Sequence, residues 1–318
     1  MRASAWLATI LAGTLVPAAA AASGSAGADP FAFLFLDADA RSIGMGGAHT
    51  ALSDDANALL YNPGGLGLEP DYAATFMHNQ YFAGITQEYA SFAAPQGWGV
   101  QLNYLNFGSV KQTTLSNPDG SGLGATGLSD AAVSVGYGHE LLSGLSLGAA
   151  AKYLREDVAG VVGQSPAFDV GALFAPPRLE GLRLGAAVQN IGPAVKFQGA
   201  GEPLPVNARG GVAYSFPLAG QKTTLSIDAA KERAQSPVFG AGAELVIAGV
   251  MPVRVGFNGR NQSGPGVSAG VGWIYKSLAL DFAFVPFGDL GAASFISATI
   301  HWGSPLDRER REEPRRWR

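Results

Sequence analysis

Trp98-Gly99-Val100-Gln101-Leu102-Asn103-Tyr104 alternates apolar residues with small or polar ones at every step. Successive side chains of an extended strand point to opposite faces, so this stretch reads as a strand with one greasy face (Trp98, Val100, Leu102, Tyr104) and one small or polar face (Gly99, Gln101, Asn103). The pattern returns downstream. Leu145, Leu147, Ala149, Ala151 and Tyr153 alternate with Ser146, Gly148, Ala150 and Lys152, and Leu278, Leu280, Phe282 and Phe284 alternate with Ala279, Asp281 and Ala283. Fourteen such segments follow one another: 71–79, 86–95, 97–108, 126–140, 144–156, 165–175, 181–191, 206–217, 222–231, 238–248, 252–259, 266–275, 277–285 and 293–302.

Their connections alternate too. Tight ones (Pro95-Gln96-Gly97, Leu142-Ser143-Gly144, Leu218-Ala219-Gly220, Gly249-Val250-Met251, Tyr275-Lys276-Ser277) exchange with longer polar ones at 108–125, 157–164, 192–205, 232–237 and 259–265. Short turns at one end and long loops at the other are the sidedness of an outer-membrane barrel. In hydrocarbon an unpaired backbone group costs several kcal/mol, so strands span a bilayer only when they close on themselves. The expected fold is therefore all-β: a 14-stranded antiparallel transmembrane outer-membrane barrel over 71–302, read as monomeric and surrounded by outer-membrane lipids. The inner face carries charges of both signs, Lys152, Asp169, Arg183, Arg209, Asp228, Glu244, Arg254 and Asp281, which suits paired networks in a wet or plugged lumen. A soluble sandwich or propeller is the competing architecture, but so little charge would leave it a poorly soluble exterior.

Composition agrees. The 318 residues are 47% hydrophobic and 14% charged, with 44 glycines, no cysteine and a formal charge of -4. Soluble domains run at about 25% charged and about 7% glycine. The absence of cysteine excludes disulfides, thiol catalysis and thiolate metal sites, and the charge offers no basic field for nucleic acid. Arg2, the apolar stretch from Ala5 to Val16 and the alanines Ala18 to Ala22 have the order of a secretory signal peptide, assigned to 1–22, with export to a Gram-negative outer membrane as its consequence. After Trp302, the segment 303–318 holds six arginines and four acids and reads as a charged periplasmic tail.

Residues 23–70 depart from the strand pattern and read as a short helical hatch. Ser53-Asp54-Asp55 looks like a helix start, with a capping hydroxyl and carboxylates at the positive end of the dipole. Leu59 and Leu60 close that helix, Asn62-Pro63 turns the chain out of it, and Gly64-Gly65 permits a tight turn before the first strand. Here the chain resembles the PorV/PorQ family of outer-membrane proteins, relatives of the FadL-type fatty acid transporters. The resemblance rests on Ala40-Arg41-Ser42-Ile43-Gly44-Met45-Gly46-Gly47-Ala48, Ser53-Asp54-Asp55-Ala56-Asn57-Ala58 and Tyr61-Asn62-Pro63-Gly64-Gly65-Leu66. The family usually has alanine where Gly64 stands.

The resemblance implies an N-terminal hatch folded inside the barrel and one of two jobs. FadL-like members pass hydrophobic compounds; PorV-like members serve type IX secretion, docking or escorting exported proteins. The favoured expectation is passive transport: a hydrophobic small-molecule ligand enters between external loops, crosses a lumen gated by 41–66 and leaves toward the membrane. Arg41, Asp54, Asp55 and Asn62 would hold the hatch through hydrogen bonds, Gly44, Gly46, Gly47, Gly64 and Gly65 would let it move, and Asn57 and Pro63 are counted with the same gating set. The alternative is a platform for secretion-system proteins.

No enzyme, cofactor or metal is expected. Gly266-Val267-Ser268-Ala269-Gly270 has the spacing of a nucleophile elbow but sits inside an alternating strand instead of a strand-to-helix turn. His49, His78, His139 and His301 show no metal-ligand spacing, and Gly44-x-Gly46-Gly47 lacks the flanking elements of a dinucleotide fingerprint.

Overall fold

The computed structural model describes residues 29–303 except Ala200 and Ala234, so the expected signal peptide at 1–22 and the tail from 304 onward lie outside the described residues. Fourteen strands follow: β1 (Tyr72–Gln80), β2 (Thr86–Ala93), β3 (Trp98–Lys111), β4 (Ala125–Leu142), β5 (Leu145–Val158), β6 (Val161–Phe174), β7 (Leu182–Ile191), β8 (Asn207–Leu218), β9 (Gln221–Glu232), β10 (Val238–Ile247), β11 (Met251–Asn258), β12 (Val267–Tyr275), β13 (Leu278–Pro286) and β14 (Ala292–Trp302). Each pairs antiparallel with its neighbours in sequence, and β1 pairs with β14 from Tyr72↔Trp302 to Gln80↔Ser294, closing the barrel.

The period-two alternation sorts the side chains as expected. Val100, Leu102, Val135, Ile227, Val255 and Ile296 are exposed on the outer face, whereas Gln101, Ser134, Asp228 and Ser297 are buried inside. Aromatic rings gather at the tight-turn end: Tyr72 stacks between Phe92 and Trp302, Trp98 lies against Tyr137, and Trp273 stacks on Tyr275. An apolar outer face edged by aromatic rings is the surface of a barrel that faces hydrocarbon. Polar pairs interrupt it: Arg155 and Asp157 on β5, and His78, whose Nδ1 lies 2.7 Å from Glu88 Oε1 on the outer face of β1 and β2, beside a groove of about 380 Å³ lined by Phe76, Leu102 and Ile296.

Two connections differ from the sequence reading. The long loop expected at 157–164 is a tight turn, because β5 and β6 stay paired to Val158↔Val161, with Ala159 and Gly160 at positive φ. Both centres left-handed is the backbone of a type I′ turn, whose twist matches the strands it joins. Gly163 sits in this hairpin because a Cβ there would meet the ring of Phe197, which folds in from the 192–206 connection. That connection, expected as an external loop, turns toward the mouth of the barrel and buries Val195 and Leu204 against Leu105, Leu154, Phe31 and Phe33.

The segment before β1 fills the interior. It contains a 3-10 turn at Ala32–Phe35, a short helix α1 (Ala40–Gly44), a second short helix α2 (Ala58–Tyr61) and a 3-10 turn at Pro63–Leu68. Helix α1 packs on β11 to β14, and the Pro63–Leu68 turn packs on β4, β5 and β6. Leu59 and Leu66 are fully buried, which stabilises each by about 1.5–3 kcal/mol relative to exposure. Inward glycines make room for them: added Cβ atoms at Gly99 and Gly138 would run into Leu66, at 2.7 and 2.9 Å.

Candidate functional site

The seat of this plug is built from buried charges. Asp39 caps α1, accepting from Ser42 N at 3.1 Å, while Ser42 Oγ donates to the Asp39 carbonyl at 2.9 Å. Ser297 of β14 ties the same carboxyl to the wall, donating to Asp39 Oδ1 at 3.2 Å. Burial, reinforced by repulsion from Asp55, pushes the Asp39 pKa upward. One turn on, Arg41 grips Glu244 with two hydrogen bonds of 3.2 Å, and its Nη1 lies 3.8 Å from Asp55. Glu244 also accepts from Arg254 Nε at 2.6 Å, and Arg254 Nη1 reaches Asp281 at 2.5 Å. Two guanidinium groups and two carboxylates thus balance one another across the plug and β10, β11 and β13.

The chain leaves α1 through a close backbone approach. At Gly46, with φ of +66°, an added Cβ would lie 2.5 Å from the Phe257 nitrogen, so no larger residue fits this crossing. Gly44 passes β11 and β12 at Arg254 and Gly270, and Gly47 lies against Asp37. Asp228 of β9 then receives the plug backbone, accepting from His49 N at 3.0 Å, Thr50 N at 2.8 Å and Thr50 Oγ1 at 2.5 Å. Arg209 holds that carboxylate at 3.2 Å and lies over the ring of Tyr61 at 5.0 Å.

The helix start expected at Ser53 is absent. Ser53 Oγ donates to the His49 carbonyl at 2.6 Å, Asp54 is drawn to Arg183 of β7 at 2.6 Å, and Asp55 to His49 at 3.3 Å. These pairs, two of them local and one with the wall, win over capping, and α2 begins only after Asn57, which accepts from Ser91 of β2 at 3.0 Å. Burial works against ionisation of Asp54 and Asp55, but Arg183 for the first and His49 for the second hold both pKa values below the usual range. Asn62 bridges plug and wall, donating to the carbonyls of Thr50 at 3.1 Å and Ala172 at 2.8 Å and accepting from Gly64 N at 3.1 Å. Pro63 opens the 3-10 turn, and Gly65 lies against the Ser53 carbonyl. Below it, burial lifts Glu69 to about 9 although Asp71 N donates to it.

Of the residues named from the sequence for this segment, Arg41, Gly44, Gly46, Asp54, Asn57, Asn62 and Gly64 lie at the contact between plug and wall, whereas Asp55 and Gly65 contact the plug itself. Among the inward charges read from the strands, Arg183, Arg209, Asp228 and Glu244 meet the plug, whereas Lys152 with Asp169 at 2.7 Å and Arg254 with Asp281 pair within the wall. Asp39, Thr50 and Ser297 were missed; Asp39 three residues before Ser42 carries a capping signal, but nothing local marks Thr50 or Ser297. Ser268, the centre of the elbow-like spacing, is buried in β12 and donates to the Gly44 carbonyl at 3.4 Å. Among the described residues no group of His, Asp or Glu could hold a metal ion.

Wall and interior together define a class, the closed fourteen-stranded antiparallel barrel of outer-membrane type whose lumen is filled by its own N-terminal segment. Solved structures share this fold. The Pseudomonas putida toluene transporter TodX superposes with a TM-score of 0.51 at 13% identity, over 84% of this chain and 98% of that one. A Pseudomonas aeruginosa FadL homologue gives 0.53 at 11%, and the monoaromatic hydrocarbon channel CymD gives 0.52 at 11%, each over the same shares of the two chains. No family model and no curated protein matches the chain.

Proposed function

We propose that this protein is a monomeric outer-membrane channel of FadL-like type that passes hydrophobic solutes passively, with residues 41–66 as its hatch. The observation that carries the reading is the set of discrete polar pairs between plug and wall at Arg41, Asp54, Asn57 and Asn62, beneath an apolar mouth of Phe31, Phe33, Leu105, Leu154 and Leu204. Polar pairs can be exchanged for water when the plug moves, and the apolar contacts that Ile43, Leu59 and Leu66 also make with the wall would part with them. The apolar mouth would collect the solute, and the long loops would lie outside. TodX and CymD, whose fold this chain shares, are hydrocarbon transporters, which supports the same class of solute. The test is uptake of a toluene-like hydrocarbon into vesicles whose outer leaflet is lipopolysaccharide, a barrier such solutes cross slowly. Uptake should rise with the reconstituted protein and change on deletion of 41–66; unchanged uptake refutes the gate.

Docking for type IX secretion is the second reading, favoured by the fully exposed Leu115 and the exposed Leu123 on the 112–124 connection. Native mass spectrometry of protein taken from outer membranes separates the two. A lipophile on a lone barrel supports transport, and a stoichiometric complex with exported proteins and no lipophile supports docking.

A further inference from the structure

Between the apolar mouth and the base of the plug, the inner wall of β1 to β4 is lined with amides and hydroxyls. Asn79, Gln87, Ser91, Gln101, Asn103 and Ser134 are all at least nine-tenths buried there. Some are satisfied: Gln87 Nε2 donates to Asn103 Oδ1 at 3.1 Å, Tyr81 OH donates to Gln87 Oε1 at 3.2 Å, and Ser91 is held by Asn57. Others are not: both polar atoms of Asn79 and the Tyr89 hydroxyl are buried without a partner, and so are three atoms further along the wall. Gln101 Oε1, Asn103 Nδ2 and Ser134 Oγ are buried with no hydrogen-bond partner.

These three belong together. Gln101 faces Ser134 directly across β3 and β4, and Asn103 stands two residues along β3 on the same inner face, about 7 Å away at the strand repeat. They offer an acceptor, a donor and a hydroxyl that can do either. A buried polar atom left unmet costs about 1–3 kcal/mol, so three on one patch of wall would be selected against unless something meets them. The patch has no free charge: Lys152, opposite Ser134 on β5, is already held by Asp169 at 2.7 Å and Asn190 at 3.0 Å. A carboxylate or phosphate would find no cation here, and a pure hydrocarbon would leave all three atoms unmet.

We propose that Gln101, Asn103 and Ser134 form a binding station for an uncharged group that both donates and accepts a hydrogen bond, a hydroxyl, carried on an otherwise hydrophobic solute. The station narrows the solute class from hydrocarbons in general to neutral alcohols and phenols, and it rests on the transport reading above. The solute's apolar body lies along the lumen while its hydroxyl accepts from Asn103 and donates to Gln101, with Ser134 as a third contact.

The test compares 4-butylphenol with butylbenzene, which differ by one hydroxyl, binding to the whole protein in nanodiscs with empty nanodiscs as the correction for lipid partition. One neutral hydrogen bond is worth about fivefold, so two should favour the phenol by about tenfold or more. The triple variant Q101L/N103L/S134A should lose that preference and keep its affinity for butylbenzene. Heat-modifiable migration on gels checks its folding, and if it does not fold, Ser134→Ala alone should lower the preference about threefold. Equal binding of the two probes by the wild type, or a preference that survives the substitutions, overturns the station and leaves the transport reading standing, with water as the partner of these atoms. Binding of neither probe overturns both.

Discussion

Replacing Arg41 by methionine removes one of the two positive charges from the cluster it forms with Glu244, Arg254 and Asp281. Arg254 would be left to neutralise two carboxylates, one 4% and the other 6% exposed. Breaking a buried ion pair from one side costs about 3–5 kcal/mol, because the remaining charge stays desolvated. The Arg41 side chain is 28% exposed, so water reaches the vacated end and the expected cost falls to about 2–3 kcal/mol. That free energy raises the population of detached plug about 30- to 150-fold. Hydrogen exchange of the backbone amides between 40 and 66, followed by mass spectrometry in micelles, reads this population directly as long as reclosing outpaces exchange. The double variant R41M/E244Q removes one charge of each sign, leaves Arg254 and Asp281 balanced, and should recover most of the protection. Exchange in R41M within about threefold of the wild type, or a double variant as fast as the single one, would refute the idea that charge balance seats the plug.

Two further substitutions probe the base of the plug. Gly64→Ala places a Cβ 2.9 Å from Ala172 Cα and 3.0 Å from its nitrogen and carbonyl carbon. The turn must shift off β6, and amides of 62–68 should lose protection by about 1–3 kcal/mol; an unchanged exchange pattern would show that the seat gives without cost. Glu69→Gln tests the buried carboxyl lifted to about 9. Its folded pKa lies above the unfolded value, so the native state holds a proton that the unfolded chain releases. Stability should therefore fall as pH rises from about 4.5 to about 9 and level off above. Denaturant unfolding of wild type and E69Q across that range should show a flatter profile for the variant; parallel profiles would place the pH dependence elsewhere.

The barrel was legible in the chain because its rule is local. Gly99, Gln101 and Asn103 inside against Val100 and Leu102 outside needs only a period of two, which the strands follow except at irregularities such as Gln189-Asn190 of β7 and Thr223-Thr224 of β9, where two successive residues are buried. The 157–164 stretch misled because Asp157, Gly160, Gly163 and Gln164 have the composition of a loop. Gly163 is there for Phe197, a residue distant in sequence. The same limit governs the plug. Ser53-Asp54-Asp55 has the chemistry of a helix cap, but the barrel wall brings Arg183 to Asp54 and the plug's own fold brings His49 to Asp55, and the cap is spent on them. That the inner charges would pair could be read from their mixed signs. Which partner each takes could not, since Arg41 and Glu244 are 203 residues apart and meet only through the curvature of the sheet.

All strand pairings but one join neighbours in the chain; the seam of β1 with β14 joins its two ends. Every hairpin can therefore form between chain neighbours, while the seam and some contacts of the plug, such as Ser297 with Asp39 across 258 residues, need the final strand. The Pro63–Leu68 turn finds its seat on β4 to β6 early, but α1 lacks β11 to β14 until the end. Up to that moment the assembling protein is an open, half-stoppered sheet with β1 as a bare edge. Rim and stopper thus depend on the same strand, and a fault in β14 would cost the protein both.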